Sequence, residues 1–419
     1  MKILFLTLLE FSTLSQRNIY TDLLRRFTAA GHQISVISPI QRRHKKETFL
    51  IEEDNCRILR LKTGNMQKTK TIEKGLTTLM LERTFIKGIK TYFSDVHFDL
   101  LLYSTPPVTF QKVVRYVKKR DGCQTYLLLK DIFPQNAVDL KMIPEKGWWG
   151  ILYRYFRRKE RLLYQASDFI GCMSPANVHY ILQHNPQLDP NKVHIHPNCV
   201  EPLDFTVDFA TKKRLREQFH IPQDRIAFVY GGNLGKPQGI DFLIQCLKQQ
   251  KDNDKVFFLI LGSGTEYPKL ERYLQEDHPT NVILHQALPK DEYDQMIACC
   301  DVGMIFLDYR FTIPNFPSRL LSYLQVCLPV LAAVDSNTDV GKIIAEYGFG
   351  DWCESRHPED FGRCLEKFYD RTKNHEMGER GRRYLENNYT SEIGYQIIME
   401  QVSHQKNHKG RQYEVHSVL

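Results

Sequence analysis

Residues 313–334 read IPNFPSRLLSYLQVCLPVLAAV, a Pro-Asn-Phe-Pro-Ser turn set directly before an apolar run. Pro317 suits a first helical turn, where its missing N–H costs nothing. Leu320, Leu321, Tyr323 and Leu324 then have helical spacing, and residues 329–334 predict a short buried strand. Ser318 and Arg319 therefore fall at a helix N-terminus, where free backbone N–H groups and the helix dipole favour a phosphate. The guanidinium fork of Arg319 can hold two phosphate oxygens at once. Two Gly-rich turns offer the same chemistry: 231–239, GGNLGKPQG, and Gly262-Ser263-Gly264. Each follows an apolar run, and glycine lets backbone N–H groups approach a diphosphate closely. A Gly-rich turn by itself is as well explained by structure as by a ligand. Asp131, in Lys130-Asp131-Ile132-Phe133-Pro134-Gln135, follows a further apolar run. A carboxylate there serves either as a base toward a hydroxyl or as a turn or helix cap, and the sequence leaves both open. No metal-ligand spacing is present. The ten cysteines are scattered, and adjacent Cys299 and Cys300 read as part of a reduced core helix.

The elements that must hold these residues alternate between strand and helix. Strands are expected at 2–8, 32–38, 100–103, 125–130 and 169–173, and a helix at 18–30 ending at Gly31. A second series opens with a strand at 226–230, the Gly-rich turn and a helix from about 240. Further strands are expected at 256–261, 282–285 and 302–306, and a last helix at about 391–405. Strands alternating with helices predict parallel sheets covered on both faces. Ligands of such sheets bind beyond the strand C-termini, so two domains facing a central cleft are expected.

The chain has 419 residues, 42% hydrophobic and 25% charged, which fits two globular domains. It lacks an apolar run of about 18 residues, so no transmembrane helix is expected. The apolar start, MKILFLTLLEF, reads as a first strand rather than a signal peptide. The compartment expected is cytosolic. Residues 1–200 carry 31 Lys and Arg against 17 Asp and Glu, while the remainder carries 26 against 32. The first half is thus expected to face an anionic surface. Within it, GWWGILYRYFRRKERLLY at 147–164 mixes Trp148, Trp149, Tyr153, Tyr155 and Phe156 with Arg154, Arg157 and Arg158. Residues 66–93 interleave Lys68, Lys70, Lys74, Arg83, Lys87 and Lys90 with apolar positions. Basic-aromatic helices of this kind lie at anionic bilayer interfaces, although a merely solvated basic face has the same pattern. No nucleic-acid module is recognised.

The motif at 313–334 resembles the donor-site signature of the GT-B glycosyltransferases of family four, in the branch reading P-S-K-L-x-x-Y-x-x-x-G-x-P-V. That branch includes bacterial capsule and O-antigen enzymes similar to N-acetylfucosaminyl transferases. Arg319 replaces Lys, and Gly is absent from the position the pattern gives it. The family's two glutamates, for the donor sugar and the ribose, match Pro314 and Ser322, so neither role carries over. Gly231-Gly232-Asn233-Leu234-Gly235 resembles the branch's G-N-L-G-x-x-Q-G, and 130–135 its D-x-(aromatic)-P-E element with Gln135 for Glu. His196-Pro197-Asn198-Cys199-Val200 resembles the linker between the two domains.

The resemblance covers nearly the whole chain and implies an α/β GT-B fold of two Rossmann-like domains. The first is 1–198 with the helix at about 391–405 packed back on it; the second is 199–390. It implies a donor diphosphate held by Arg319, Ser318, Gly232, Asn233 and Lys236, and a nucleoside by Gly262, Gly264, Gln286 and Leu288. The donor sugar would meet Asn315 and Phe316, and the acceptor Asp131. The implied activity is retaining and metal-independent transfer, without a cofactor. It runs from a nucleotide sugar, UDP first, to a polyprenyl-diphosphate-linked glycan in surface polysaccharide assembly. Trp148, Trp149, Arg154, Arg157 and Arg158 would face the inner side of the membrane. A UDP-sugar 2-epimerase of the same fold, or a silent nucleotide-sugar binding subunit, is the alternative.

Overall fold

The computed structural model describes residues 1–65, 71–147, 150–203 and 207–415, with the side chains at 71–76, 79 and 404–415 left out. Two units result: Met1–Glu201 with Ser391–Leu419, and Pro202–Thr390.

The first unit is built on β1 (Lys2–Leu6), β2 (Gln33–Gln41), β3 (Phe49–Glu53), β4 (Cys56–Thr63), β5 (Leu100–Ser104), β6 (Gln124–Leu129), β7 (Phe169–Cys172) and β8 (Val193–Ile195). They form one sheet in the order β3-β4-β2-β1-β5-β6-β7-β8. All neighbours are parallel except β3 and β4, which form an antiparallel edge hairpin. Strands covered on both faces need continuous apolar sequence, and KILFL, LLLYS and QTYLLL supply it. The edge strand β3, by contrast, is half-exposed. Helix Ile19–Ala29 starts where the sequence predicts. Asn18 Oδ1 accepts from the N–H groups of Tyr20 and Thr21, and Thr21 Oγ1 accepts from Asn18 N, a reciprocal cap. Leu23, Leu24 and Phe27 then face the core. The last helix, Ser391–Val415, joins the same core through buried Ile398 and Val402. Tyr395 meets the Phe27 ring edge-on at 4.9 Å and its hydroxyl lies 3.2 Å from His32 Nε2.

The second unit holds β9 (Ile226–Asn233), β10 (Val256–Ser263), β11 (Val282–Gln286), β12 (Val302–Phe306), β13 (Val330–Val334) and β14 (Gly350–Glu354). Their order is β11-β10-β9-β12-β13-β14, all parallel. The chain runs outward from β9 through β10 and β11, then crosses to β12 and runs outward the other way. The switch point between β9 and β12 is where such sheets open a crevice at their C-terminal ends.

The sequence reading did not anticipate β3, β4 or β14. The first two are joined at Asp54-Asn55, where Asn55 takes φ 57°, the left-handed turn conformation asparagine tolerates. Trp148, Trp149 and 66–70 lie outside the described residues, so those parts of the expected membrane face have no structural counterpart here. Among the described residues, no helix is long and apolar enough to cross a membrane.

Candidate donor and acceptor sites

In the second unit, two glycine turns close on each other at the ends of β9 and β10. A Cβ at Gly262 would lie 1.9 Å from the carbonyl oxygen of Gly232, so only glycine permits this approach. Together they line a cavity of about 360 Å³, with Asn233, Leu261, Ser263, Ala287, Leu288 and Tyr293 as its other walls. Four of the expected residues, Gly232, Asn233, Gly262 and Leu288, are therefore brought to one place. Asn233 Nδ2 donates to Gln238 Oε1 at 3.0 Å, and the same oxygen accepts from Gly235 N, which folds the loop into its turn.

Arg319 begins helix Arg319–Gln325 and lies against this loop. Its guanidinium carbon sits 4.3 Å above the Tyr230 ring, a cation–π contact, and a Cβ on Gly232 would be 3.2 Å from its Nη2. Among the described residues no carboxylate pairs with it, and its Nη1 is enclosed without a hydrogen-bond partner. Tyr323, one turn on, fixes the helix across the switch point. Its hydroxyl accepts from Gly231 N at 3.1 Å and donates to Met304 O at 3.0 Å, tying β9 to β12. Burial pushes the Tyr323 and Tyr293 hydroxyls well above the usual phenol range, so both stay neutral. A permanent cation stacked on an aromatic ring and lacking an anion is ready for an anionic ligand.

The other expected donor residues are placed differently. Ser318 caps nothing with its side chain and is exposed; Lys236 is exposed on its turn. Gly264 is packed on the Leu234 backbone, where a Cβ would clash at 2.2 Å. Gln286 is exposed at the end of β11. Phe316 is buried and meets the Tyr389 ring at 6.1 Å, while Asn315 keeps its Nδ2 enclosed without an acceptor. Sequence reasoning missed Tyr293, whose neighbours Lys290, Asp291, Glu292 and Asp294 make it look like a surface aromatic. The acidic groups at the ends of β12 and β13 are committed elsewhere. Asp308 is held by Arg310 at 2.8 and 2.6 Å, and Asp335 accepts from the N–H groups of Asn337 and Thr338.

In the first unit, Asp131 stands just past the end of β6. Asn136 Nδ2 donates to its Oδ1 at 2.7 Å. Thr105 Oγ1 accepts from the backbone N–H groups of Lys130 and Asp131, which anchors the loop to the end of β5. Burial raises the Asp131 carboxyl from 3.8 to about 6, against the pull of Asn136 and the Ile132 N–H. The short helix Gln135–Asp139 has Pro134 at its cap position, so Asp131 does not cap it. Lys130 Nζ donates to the carbonyls of His196 and Pro197, each at 3.2 Å, and burial lowers its pKa to about 8.

Helix Gly150–Ala166 presents Ile151, Arg154, Arg158, Arg161 and Gln165 to solvent, one face at i, i+3, i+4 spacing. Arg157 turns the other way. It pairs with Glu160 and donates to His184 O and Asn185 Oδ1 at 2.7 and 2.9 Å, a structural tie.

Residues 211–384 match the family Glycosyl transferases group 1. The chain is similar to the probable glycosyltransferase WbjE of Pseudomonas aeruginosa, at 23% identity over 78% of this chain and 79% of that one. It is also similar to the putative colanic acid biosynthesis glycosyl transferase WcaI of Escherichia coli, at 22% identity over 58% and 60%. Sucrose-phosphate synthase from Thermosynechococcus elongatus superposes with a TM-score of 0.75 at 15% identity, over 98% of this chain and 100% of that chain. Anabaena Alr3699/HepE in complex with UDP gives 0.67 at 14%, over 96% and 100%. The fold is GT-B. Neither the epimerase nor the silent-subunit alternative is favoured by these matches.

Proposed function

We propose that the protein transfers a sugar from a nucleotide diphosphate, UDP first, to a lipid-linked glycan in the assembly of a surface polysaccharide, capsule or O-antigen. The observation that carries this reading is Arg319, a cation that no carboxylate pairs with among the described residues, stacked on Tyr230 beside the Gly232–Gly262 cavity. A solved UDP complex of the same fold supports the donor, and similarity to a putative colanic acid biosynthesis glycosyl transferase supports the pathway class. In this reading Arg319 and the amides of the 231–235 loop hold the diphosphate. They stabilise the charge that builds on it as its bond to the sugar breaks. The acceptor hydroxyl forms the new bond, and its proton passes to Asp131. Asn315 is the proposed donor-sugar contact, and Gln286 and Gly264 are proposed nucleoside contacts. Retention at the anomeric carbon and independence from a metal belong to the same proposal. Activity that survives a chelator and an NMR assignment of the product anomer would test both. Arg154 and Arg158, with Arg161, would hold the protein at the inner face of the membrane, close to a polyprenyl-diphosphate acceptor.

The decisive experiment is calorimetry with UDP. Arg319→Ala should weaken binding by about 1.5–3 kcal/mol, the range for a charged hydrogen bond. Arg319→Lys should weaken it less. Unchanged affinity in the alanine variant would exclude Arg319 from the site and remove the main support for the reading.

A further inference from the structure

A second, larger cavity of about 580 Å³ opens in the unit Pro202–Thr390, at the other end of its strands. Asp301 and Pro329, which line it, directly precede β12 and β13, whereas the donor cavity is lined by the last residues of β9 and β10. Its floor is apolar, through Ala298, Val326, Leu328 and Pro329. Its walls bring Lys212, Lys213, Arg216 and Arg371 against two carboxylates, Asp301 and Glu379. Asp301 already takes up Lys212 at 2.9 Å and Arg216 at 2.5 Å. Arg371 donates to the carbonyls of Gln223 and Arg225, at 2.8 and 2.9 Å, and among the described residues no carboxylate pairs with it; Lys213 is exposed. The cavity thus keeps an excess of positive charge. It also borders the first turn of the 18-residue helix Arg371–Asn388, which supplies Arg371, Asn374 and His375 and whose leading N–H groups, at Thr372 and Lys373, are already capped by Asp370. Asn374 is buried there with its Oδ1 lacking any donor.

We propose that this cavity binds a phosphorylated sugar. The phosphate would meet Lys213, Arg371 and His375, and the C–H face of the ring would cover the apolar floor. Its volume suits a ligand of that size. Helix Arg319–Gln325 connects the two cavities: Arg319 opens it beside the donor loop, and Val326–Pro329, which follow its end, line the second cavity. Occupancy of one cavity is therefore coupled to the other. The coupling rests on the donor reading above; the binding does not.

Calorimetry on the full chain with glucose 1-phosphate as the probe, with and without saturating UDP, tests this. Binding should persist under UDP with an affinity altered several-fold, and UDP affinity should shift by the same factor under the probe. Lys213→Glu with His375→Glu, both exposed positions, should weaken the probe at least about tenfold and leave UDP affinity in its absence unchanged. Absence of binding at millimolar probe, full displacement by UDP, or unchanged binding by the double variant would overturn the site. Inorganic phosphate binding as tightly as glucose 1-phosphate would overturn the sugar assignment, and equal probe affinity with and without UDP would overturn the coupling. Failure of UDP to bind while the probe still does would sink the donor reading alone.

Discussion

Asp131 and Arg319 are ionisable side chains held at opposite costs. Arg319 keeps its charge because an aromatic face and polar backbone surround it, and its role is read by UDP affinity as described above. Asp131 is penalised when charged. Its carboxyl titrates near 6 in the folded protein against 3.8 in an ordinary setting, so the folded state binds the proton more tightly. Stability from that group is complete below about pH 3.8 and is lost as pH rises through about 6. Asp131→Asn should therefore raise stability at pH 7 by about 1–3 kcal/mol, while Asn136 keeps its acceptor, and the gain should vanish below about pH 4. Denaturant melts of the two proteins across that range check the sign. The same variant should lower turnover by on the order of a hundredfold with UDP affinity intact, if Asp131 takes the acceptor proton. The wild-type rate should then climb as pH passes about 6. A variant that is less stable at pH 7, with normal turnover, would return Asp131 to a turn-holding role. Gly262 is as restrictive sterically as Asp131 is electrostatically. Gly262→Ala should abolish measurable UDP binding in calorimetry, because its new methyl meets the backbone oxygen of Gly232, which cannot move without opening the loop.

At the scale of elements, helix Gly150–Ala166 separates its arginines by direction. Arg157 serves the fold through Glu160, His184 and Asn185, whereas Arg154, Arg158 and Arg161 share the solvent face with Ile151. Each basic side chain near an anionic bilayer contributes about 1 kcal/mol, screened within a Debye length. Replacing Arg154, Arg158 and Arg161 with Gln should thus cut sedimentation with phosphatidylserine vesicles at low salt without lowering the melting temperature. It should slow transfer to a lipid-linked acceptor more than to a short soluble analogue; equal slowing on both would leave the face merely solvated. Arg157→Gln should instead lower the melting temperature. Helix Ser391–Val415 contributes by burial. Ile398→Ala removes a fully buried side chain and should destabilise by about 2–5 kcal/mol in a denaturant titration.

At the scale of the whole molecule, the proposed donor cavity is formed within one unit, from the last residues of β9 and β10, from Ala287 and Leu288 after β11, and from Tyr293. Bound UDP should slow amide exchange most at residues 231–235 and 262–264; protection confined to residues 1–200 would contradict that placement. The sequence by itself determined the two series of alternating strands and helices, since parallel strands covered on both faces must be written as short apolar runs. It also located the Gly-rich turns, because close backbone approach admits few residue types. It did not reveal β3 or β14, whose edge positions leave weaker apolar signals, or β4, whose apolar residues are interrupted by Arg57, Arg60 and Lys62. Only the tertiary structure decided that Arg157 faces inward while Arg154 faces out, and that Phe316 is buried. It alone showed that Tyr293 reaches the cavity and that Lys213 and Asn374 share a second one. Direction and neighbourhood belong to the packing of elements distant in sequence. A local pattern fixes which face of a helix is apolar, but not which donor, acceptor or ring another element will bring against it.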